Sequence, residues 1–211
     1  MRFQKEREAL VRYGALLYER GLVKGTSGNV SLRSHGTVLI TPSGSCKGHL
    51  APEDLLEVDL ETGSVQGMGR SSIETPFHLA LYRHRQEVGA VVHCHPLYGT
   101  ILAVAGIPLR TDLTPEGLLV LGVDVPLVPY ETPGTKELAE QLHKGMGTAK
   151  ACLLERHGAL TVGKDLKEAF HRMESLEFNA ELQYRLMALG KERALPEKEV
   201  RRILEGEHGR K

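Results

Sequence analysis

Three histidines and a glutamate are the residues of this chain whose types and spacing suit catalysis at a metal ion. In Gly89-Ala90-Val91-Val92-His93-Cys94-His95-Pro96 an apolar run ends in two imidazoles one residue apart. Side chains alternate along a strand, so His93 and His95 should share one face and Cys94 the other. Such a pair, at the strand end where open α/β sheets place ligands, suits a divalent cation, or else two buried, hydrogen-bonded side chains. His157 follows a second apolar strand, Ala151-Cys152-Leu153-Leu154, in the turn Glu155-Arg156-His157-Gly158. Alone it is a turn residue; converging with the pair it would complete three ligands and leave a coordination position open. Glu74 also has two readings. Ser71-Ser72-Ile73-Glu74 matches a Ser-x-x-Glu capping box, whereas a carboxylate beside a cation can ligate it and move a proton to or from carbon. His35, His49, His78, His84, His143, His171 and His208 fall in turns or on helix faces and are read as structural, and Cys94 as a small core group.

Three loops of small residues, Gly28-Asn29, Ser43-Gly44 and Ser71-Ser72, offer hydroxyls, amides and free backbone donors. They suit a phosphate, or are plain turns; none matches a Walker or dinucleotide fingerprint.

The elements that must position these groups follow from periodicity. Leu10, Val11, Gly14, Leu17 and Tyr18 mark a helix over 3–21, and 30–32 with 38–40 form a hairpin turning at His35-Gly36. Short strands are predicted at 55–60 and 65–66, a helix at 76–85, the strand carrying His93, and a helix opened by Pro96. Further on come a strand near 126–128, a helix at 135–146, and strands at 151–154 and 160–162. A long helix carries Leu166, Ala169, Phe170, Met173, Leu176, Ala180, Tyr184 and Met187 on one stripe, and a last helix spans about 197–204. At 211 residues the chain is expected to form a single domain, 1–211.

Its 27 basic and 27 acidic side chains cancel, which excludes a field drawing it to nucleic acid or lipid. No stretch approaches the ~20 apolar residues of a membrane span. Three scattered cysteines fit reduced thiols, so a cytoplasmic protein acting on a small molecule is expected.

Taken together, GTSGNVS (25–31), ITPSG (40–44), SSIETPFHLALY (71–82), VVHCHP (91–96), PY-x-x-x-GT (129–135) and ERHG (155–158) resemble the class II aldolase/adducin family, over residues 3 to about 190. The resemblance implies an α/β/α fold with a central, mainly antiparallel sheet, assembled as a C4 homotetramer with sites between subunits. It implies one Zn2+ per subunit, with Mn2+ or Co2+ accepting the same ligands, on His93, His95 and His157. Glu74 would be the acid/base that also touches the metal before substrate binds, and Gly28, Asn29, Ser43, Gly44, Ser71 and Ser72 would hold the phosphate. The implied reaction is reversible cleavage of a ketose 1-phosphate, of the L-fuculose 1-phosphate type, to dihydroxyacetone phosphate and a small aldehyde of the L-lactaldehyde type. Alternatives of the same fold are a sugar-phosphate epimerase, a methylthioribulose-1-phosphate dehydratase and the non-catalytic adducin head, which lacks the histidines.

Two departures stand out. Ile73 replaces a serine frequent before the catalytic glutamate, and the tyrosines that protonate the aldehyde oxygen in fuculose-phosphate relatives are missing between Pro108 and Pro126 and from the tail EGEHGRK. Glu116 is the expected substitute. A Schiff-base route is discounted because Lys47, Lys136 and Lys150 fall in contexts expected to be exposed.

Overall fold

The computed structural model describes residues 1–208; the last three residues of the expected 1–211 domain, and the side chains of Glu207 and His208, lie outside the described residues. The strands are β1 (Asn29–Ser34), β2 (Thr37–Ile40), β3 (Leu56–Asp59), β4 (Val65–Gln66), β5 (Ala90–Cys94), β6 (Leu127–Val128), β7 (Ala151–Leu154) and β8 (Gly158–Gly163). They form one sheet in the order β4-β3-β2-β1-β5-β8-β7-β6. Every neighbouring pair is antiparallel except β6 with β7.

Helices cover both faces, giving the expected α/β/α layers. On one side lie α1 (Gln4–Glu19), α3 (Leu97–Ala105), α4 (Pro115–Leu121) and α6 (Leu166–Leu189); on the other lie α2 (Thr75–His84) and α5 (Lys136–Met146). A last helix, α7 (Glu197–His208), packs on α4. The alternation of β5 decides which groups face which layer. Ala90, Val92 and Cys94 join the core under α1 and α6, with Leu10, Leu17, Met173 and Leu176. Val91 joins the core under α2 and α5, with Phe77, Leu142 and Leu160, and His93 follows it, its ring 5.5 Å from that of Phe77.

Thr114, Thr135 and Asp165 begin α4, α5 and α6 by accepting the backbone N–H groups of Gly117, Leu138 and Glu168. The Thr114-Pro115-Glu116 start of α4 is a helix signal that the periodicity reading passed over, because only two turns follow it. The buried stripe of α6 ends earlier than expected. Tyr184 and Met187 are exposed, and Asn179 and Gln183 are buried in their stead, where Gln183 bonds Pro108 O and Arg110 N. Among the described residues no helix is long and apolar enough to cross a membrane.

Arg7 ties α1 to the start of the sheet. Its guanidinium, buried, donates to the carbonyls of Arg2, Pro52 and Leu55 and to Glu57 Oε1 at 2.6 Å. Arg7→Met would leave these acceptors without their donor, so we expect a loss of roughly 3 kcal/mol. A lower urea midpoint at unchanged slope would show it.

Candidate metal centre and its surrounding loops

The register of β5 assembles the centre. Asn29 lies opposite His93 on β1, and Leu160 lies opposite His93 on β8, so Asn29 and His93 point into the same layer. His95 follows one step beyond the strand, its ring centroid 4.9 Å from that of His93. His157 arrives from the β7–β8 turn, with ring centroids 4.8 and 5.0 Å from His93 and His95. That turn is tight. Arg156 adopts a left-handed backbone (φ 56°), and its N–H is anchored on Ala103 O. A Cβ on Gly158 would fall 2.6 Å from Cys94 O and 2.7 Å from the His95 ring, so only glycine lets the turn lie this close.

The three histidines present nitrogens within 4.8 Å of one another. His93 Nδ1 donates to Ala159 O at 3.0 Å, which leaves its Nε2 bare and turned to His95 Nε2, 3.1 Å away. Two nitrogens on a tetrahedral zinc, each at about 2.0–2.1 Å, are separated by about 3.3 Å. The spacing fits such an ion, and the carbonyl on Nδ1 is the outer contact that commonly fixes a ligating histidine. Burial pushes the His93 pKa down to about 3 and lowers that of His95, so both rings offer lone pairs at neutral pH.

Glu74 completes the cluster. Its carboxylate lies 3.0 Å from His157 Nε2 and 3.4 Å from His93 Nε2, and accepts from Asn29 Nδ2 at 2.6 Å. Burial alone would raise its pKa, but the two imidazoles and the Asn29 amide outweigh that and hold it below the ordinary carboxylate range. The capping-box reading fails. Glu74 sits at the N-cap itself and makes no side-chain cap bond, and its own N–H is satisfied by Ser72 Oγ instead. Ile73 points outward, 64% exposed, so the departure at that position leaves the cluster untouched.

The three small-residue loops converge on this spot. Asn29 Nδ2 also reaches Ser72 Oγ (3.2 Å), and Ser43 N–H donates to Arg70 O, laying Ser43-Gly44 beside Ser71-Ser72. Gly28 takes φ 68°, and a Cβ there would lie 2.6 Å from His93 O. Ser72 Oγ, accepting from two neighbours, keeps its own hydrogen to donate. Glu116 is not brought to the cluster: it is exposed on α4, in the opposite layer, beside a hollow with His171, Glu174 and Phe178.

Lys47 corrects the expectation of exposure. It is 1% exposed, and its Nζ donates to Thr26 O (3.0 Å) and Ser45 O (2.8 Å), tying the first two loops together. Burial lowers its pKa against the pull of nearby acidic groups, Glu74 among them. Its proximity to Ser43-Gly44 was visible in the sequence, but nothing local distinguishes a lysine folded inward from one in solvent. With both carbonyls drawing on its protons, Nζ is placed as a brace and not as a free nucleophile.

Gly158→Ala is expected to displace His95 and weaken metal binding by about tenfold or more while the far-UV circular dichroism persists; competition with a chromophoric chelator reads the affinity. Lys47→Met should free residues 25–29 and 43–46, raising their amide exchange about tenfold for the loss of ~1.4 kcal/mol, as hydrogen–deuterium exchange would record.

The model of the class II aldolase and adducin N-terminal domain matches residues 8–184. The 5-deoxy-D-ribulose 1-phosphate aldolase of Bacillus thuringiensis serovar kurstaki is 37% identical, over 96% of this chain and 95% of its own. The 3-oxo-tetronate 4-phosphate decarboxylase of Pectobacterium atrosepticum is 40% identical, over 85% and 84%. A solved L-fuculose 1-phosphate aldolase superposes with a TM-score of 0.90 at 33% identity, over 98% and 97% of the two chains. The chain therefore belongs to the class II aldolase family and is a metal-dependent lyase.

Proposed function

We propose that this protein reversibly cleaves a ketose 1-phosphate, of the L-fuculose 1-phosphate or 5-deoxy-D-ribulose 1-phosphate type, into dihydroxyacetone phosphate and a small methyl-ended aldehyde. The observation that carries this reading is the meeting of the Glu74 carboxylate with three imidazoles inside a rim of phosphate-suited loops. A divalent ion on His93, His95 and His157, zinc by the spacing above, with manganese or cobalt accepting the same ligands, would supply Lewis-acid stabilisation of charge on the substrate carbonyl oxygen.

The chain's own groups do the rest. Gly28, Asn29, Ser43, Gly44, Ser71 and Ser72 hold the phosphate and so fix the reacting carbon beside Glu74. In the direction of synthesis Glu74, which would also touch such an ion before substrate binds, takes the proton from the hydroxymethyl carbon of dihydroxyacetone phosphate. That carbon forms the new bond to the aldehyde carbon, and the aldehyde oxygen takes up a proton. We assign this proton to Glu116 of a neighbouring subunit in a C4 homotetramer, since within its own protomer Glu116 lies in the opposite layer. The whole chain, 1–211, would form one domain of this assembly in the cytoplasm.

A second reading has its own support. A 3-oxo-tetronate 4-phosphate that loses CO2 leaves the same enediolate of dihydroxyacetone phosphate, yet it needs no proton-transfer group at an aldehyde oxygen, and no tyrosine stands between Pro108 and Pro126.

Elemental analysis paired with product analysis tests both readings on one preparation, before and after chelation. We expect about one zinc per chain and chelator-sensitive release of dihydroxyacetone phosphate with acetaldehyde or lactaldehyde. Release of CO2 from the oxo-tetronate phosphate, without either aldehyde from the ketose phosphates, would replace the aldolase by the decarboxylase. Glu74→Gln should keep the fold yet lower kcat by roughly 10²–10⁴-fold, and exchange of the carbon-bound proton with solvent should fall in parallel.

A further inference from the structure

A file of polar groups runs from Glu74 into the core between α2 and the sheet. Asn29 Nδ2 donates to Glu74 Oε2, and Asn29 Oδ1 lies 2.5 Å from His78 Nε2. His78 Nδ1 lies 2.6 Å from Ser31 Oγ, which lies 2.7 Å from the Tyr82 hydroxyl. Asn29, Ser31, His78 and Tyr82 are all buried. The pattern is built from two periodicities. Asn29 and Ser31 are two apart on β1, and Glu74 at the N-cap of α2 is followed at four-residue steps by His78 and Tyr82 within it, so each set shares a face.

The chemistry of the groups gives every proton one direction. An ionised Glu74 can only accept, so Asn29 must turn its NH2 to it and its carbonyl to His78. A carbonyl also only accepts, so the proton of His78 sits on Nε2. The bare Nδ1 then accepts from the Ser31 hydroxyl, whose oxygen accepts from Tyr82. Burial keeps the ring neutral, pushing the His78 pKa down to about 3.

We propose that His78 is a positioning residue: with its Nε2–H on the Asn29 carbonyl and its Nδ1 held by the Ser31 hydroxyl, which Tyr82 backs, it fixes the Asn29 carboxamide in the one orientation that aims its NH2 at Glu74 and Ser72. The inference rests on the reading of Glu74 and Asn29 as working groups of the proposed lyase. With the amide turned over, its oxygen would face the carboxylate, and Ser72 would lose its donor. The file thus couples a group in the reaction cleft to a hydroxyl buried in the core.

Two-bond nitrogen–proton spectra of the 15N-labelled, metal-loaded protein test the tautomer without any substrate, the His78 signals being identified by their loss in His78→Phe. We expect a neutral Nε2–H ring throughout about pH 6 to 8, the window in which an unperturbed histidine titrates. An Nδ1–H tautomer, or a ring that protonates in that window, overturns the proposal. Kinetics supply the second arm, through His78→Phe and Asn29→Ala singly and together. His78→Phe should lower kcat about tenfold with KM little changed and cost nothing further once Asn29 is alanine; losses that multiply would mark a merely structural histidine. Should His78→Phe not fold, Tyr82→Phe removes only the far hydroxyl. It should lower kcat about threefold with Asn29 present and not at all in Asn29→Ala, whereas equal losses in both backgrounds overturn the inference. The spectra read the tautomer even where the assayed substrates are wrong, so a failure of the proposed reaction is told apart from a failure of the relay.

Discussion

A carboxylate shut away from water among imidazoles is costly unless every lone pair finds a donor, and the Glu74 environment is organised around meeting that demand. Asn29 donates to one of its oxygens, His157 Nε2 stands 3.0 Å from the other, His93 stands close, and the Ser72 hydroxyl takes its backbone N–H. Each of these partners comes from a different stretch of chain. The antiparallel pairing of β5 with β1 and β8 is what draws them to one point, because it sets Asn29 beside His93 and brings the β7–β8 turn against His95.

The same arrangement explains why glycine stands at the closest approaches. Gly28 and Gly158 each bring a loop within van der Waals reach of the β5 backbone, where a methyl group would collide with the carbonyl of His93 or Cys94. Those two carbonyls lie on the backbone between the paired histidines. Shifting either would move the ring nitrogens, whose 3.1 Å separation leaves little tolerance for a shared ion. Lys47 acts on the outer side of the cleft in a similar way, drawing the carbonyls of Thr26 and Ser45 toward one ammonium.

Aldol cleavage and decarboxylation of a 3-oxo acid place one demand in common on such a site: an electron pair left on carbon must be spread onto an oxygen that the site stabilises. They differ at the departing end, where an aldehyde needs a proton transfer and CO2 does not. Within the protomer the histidine cluster lies under α2, whereas Glu116, exposed on α4, lies in the opposite layer.

Local periodicity was enough to mark most elements, the His93-x-His95 pair on one face, and the three small-residue loops, because alternation in strands and three-to-four spacing in helices are properties of neighbours in the chain. It passed over α4, whose two turns are too short to display a period, and it carried the buried stripe of α6 too far, since apolar Tyr184 and Met187 keep the spacing after the core has ended. What needed tertiary structure was every decision between two chemically sound alternatives. Ser-x-x-Glu is compatible with a cap or with an inward carboxylate, and the position of Asn29, 45 residues earlier, settles which. Lys47 and His78 look like surface and helix-face residues because burial depends on what packs across from them, and their partners lie 21 and 49 residues away in sequence. The chain alone therefore determined which groups were on hand for chemistry, while long-range packing decided their direction, their protonation and their company.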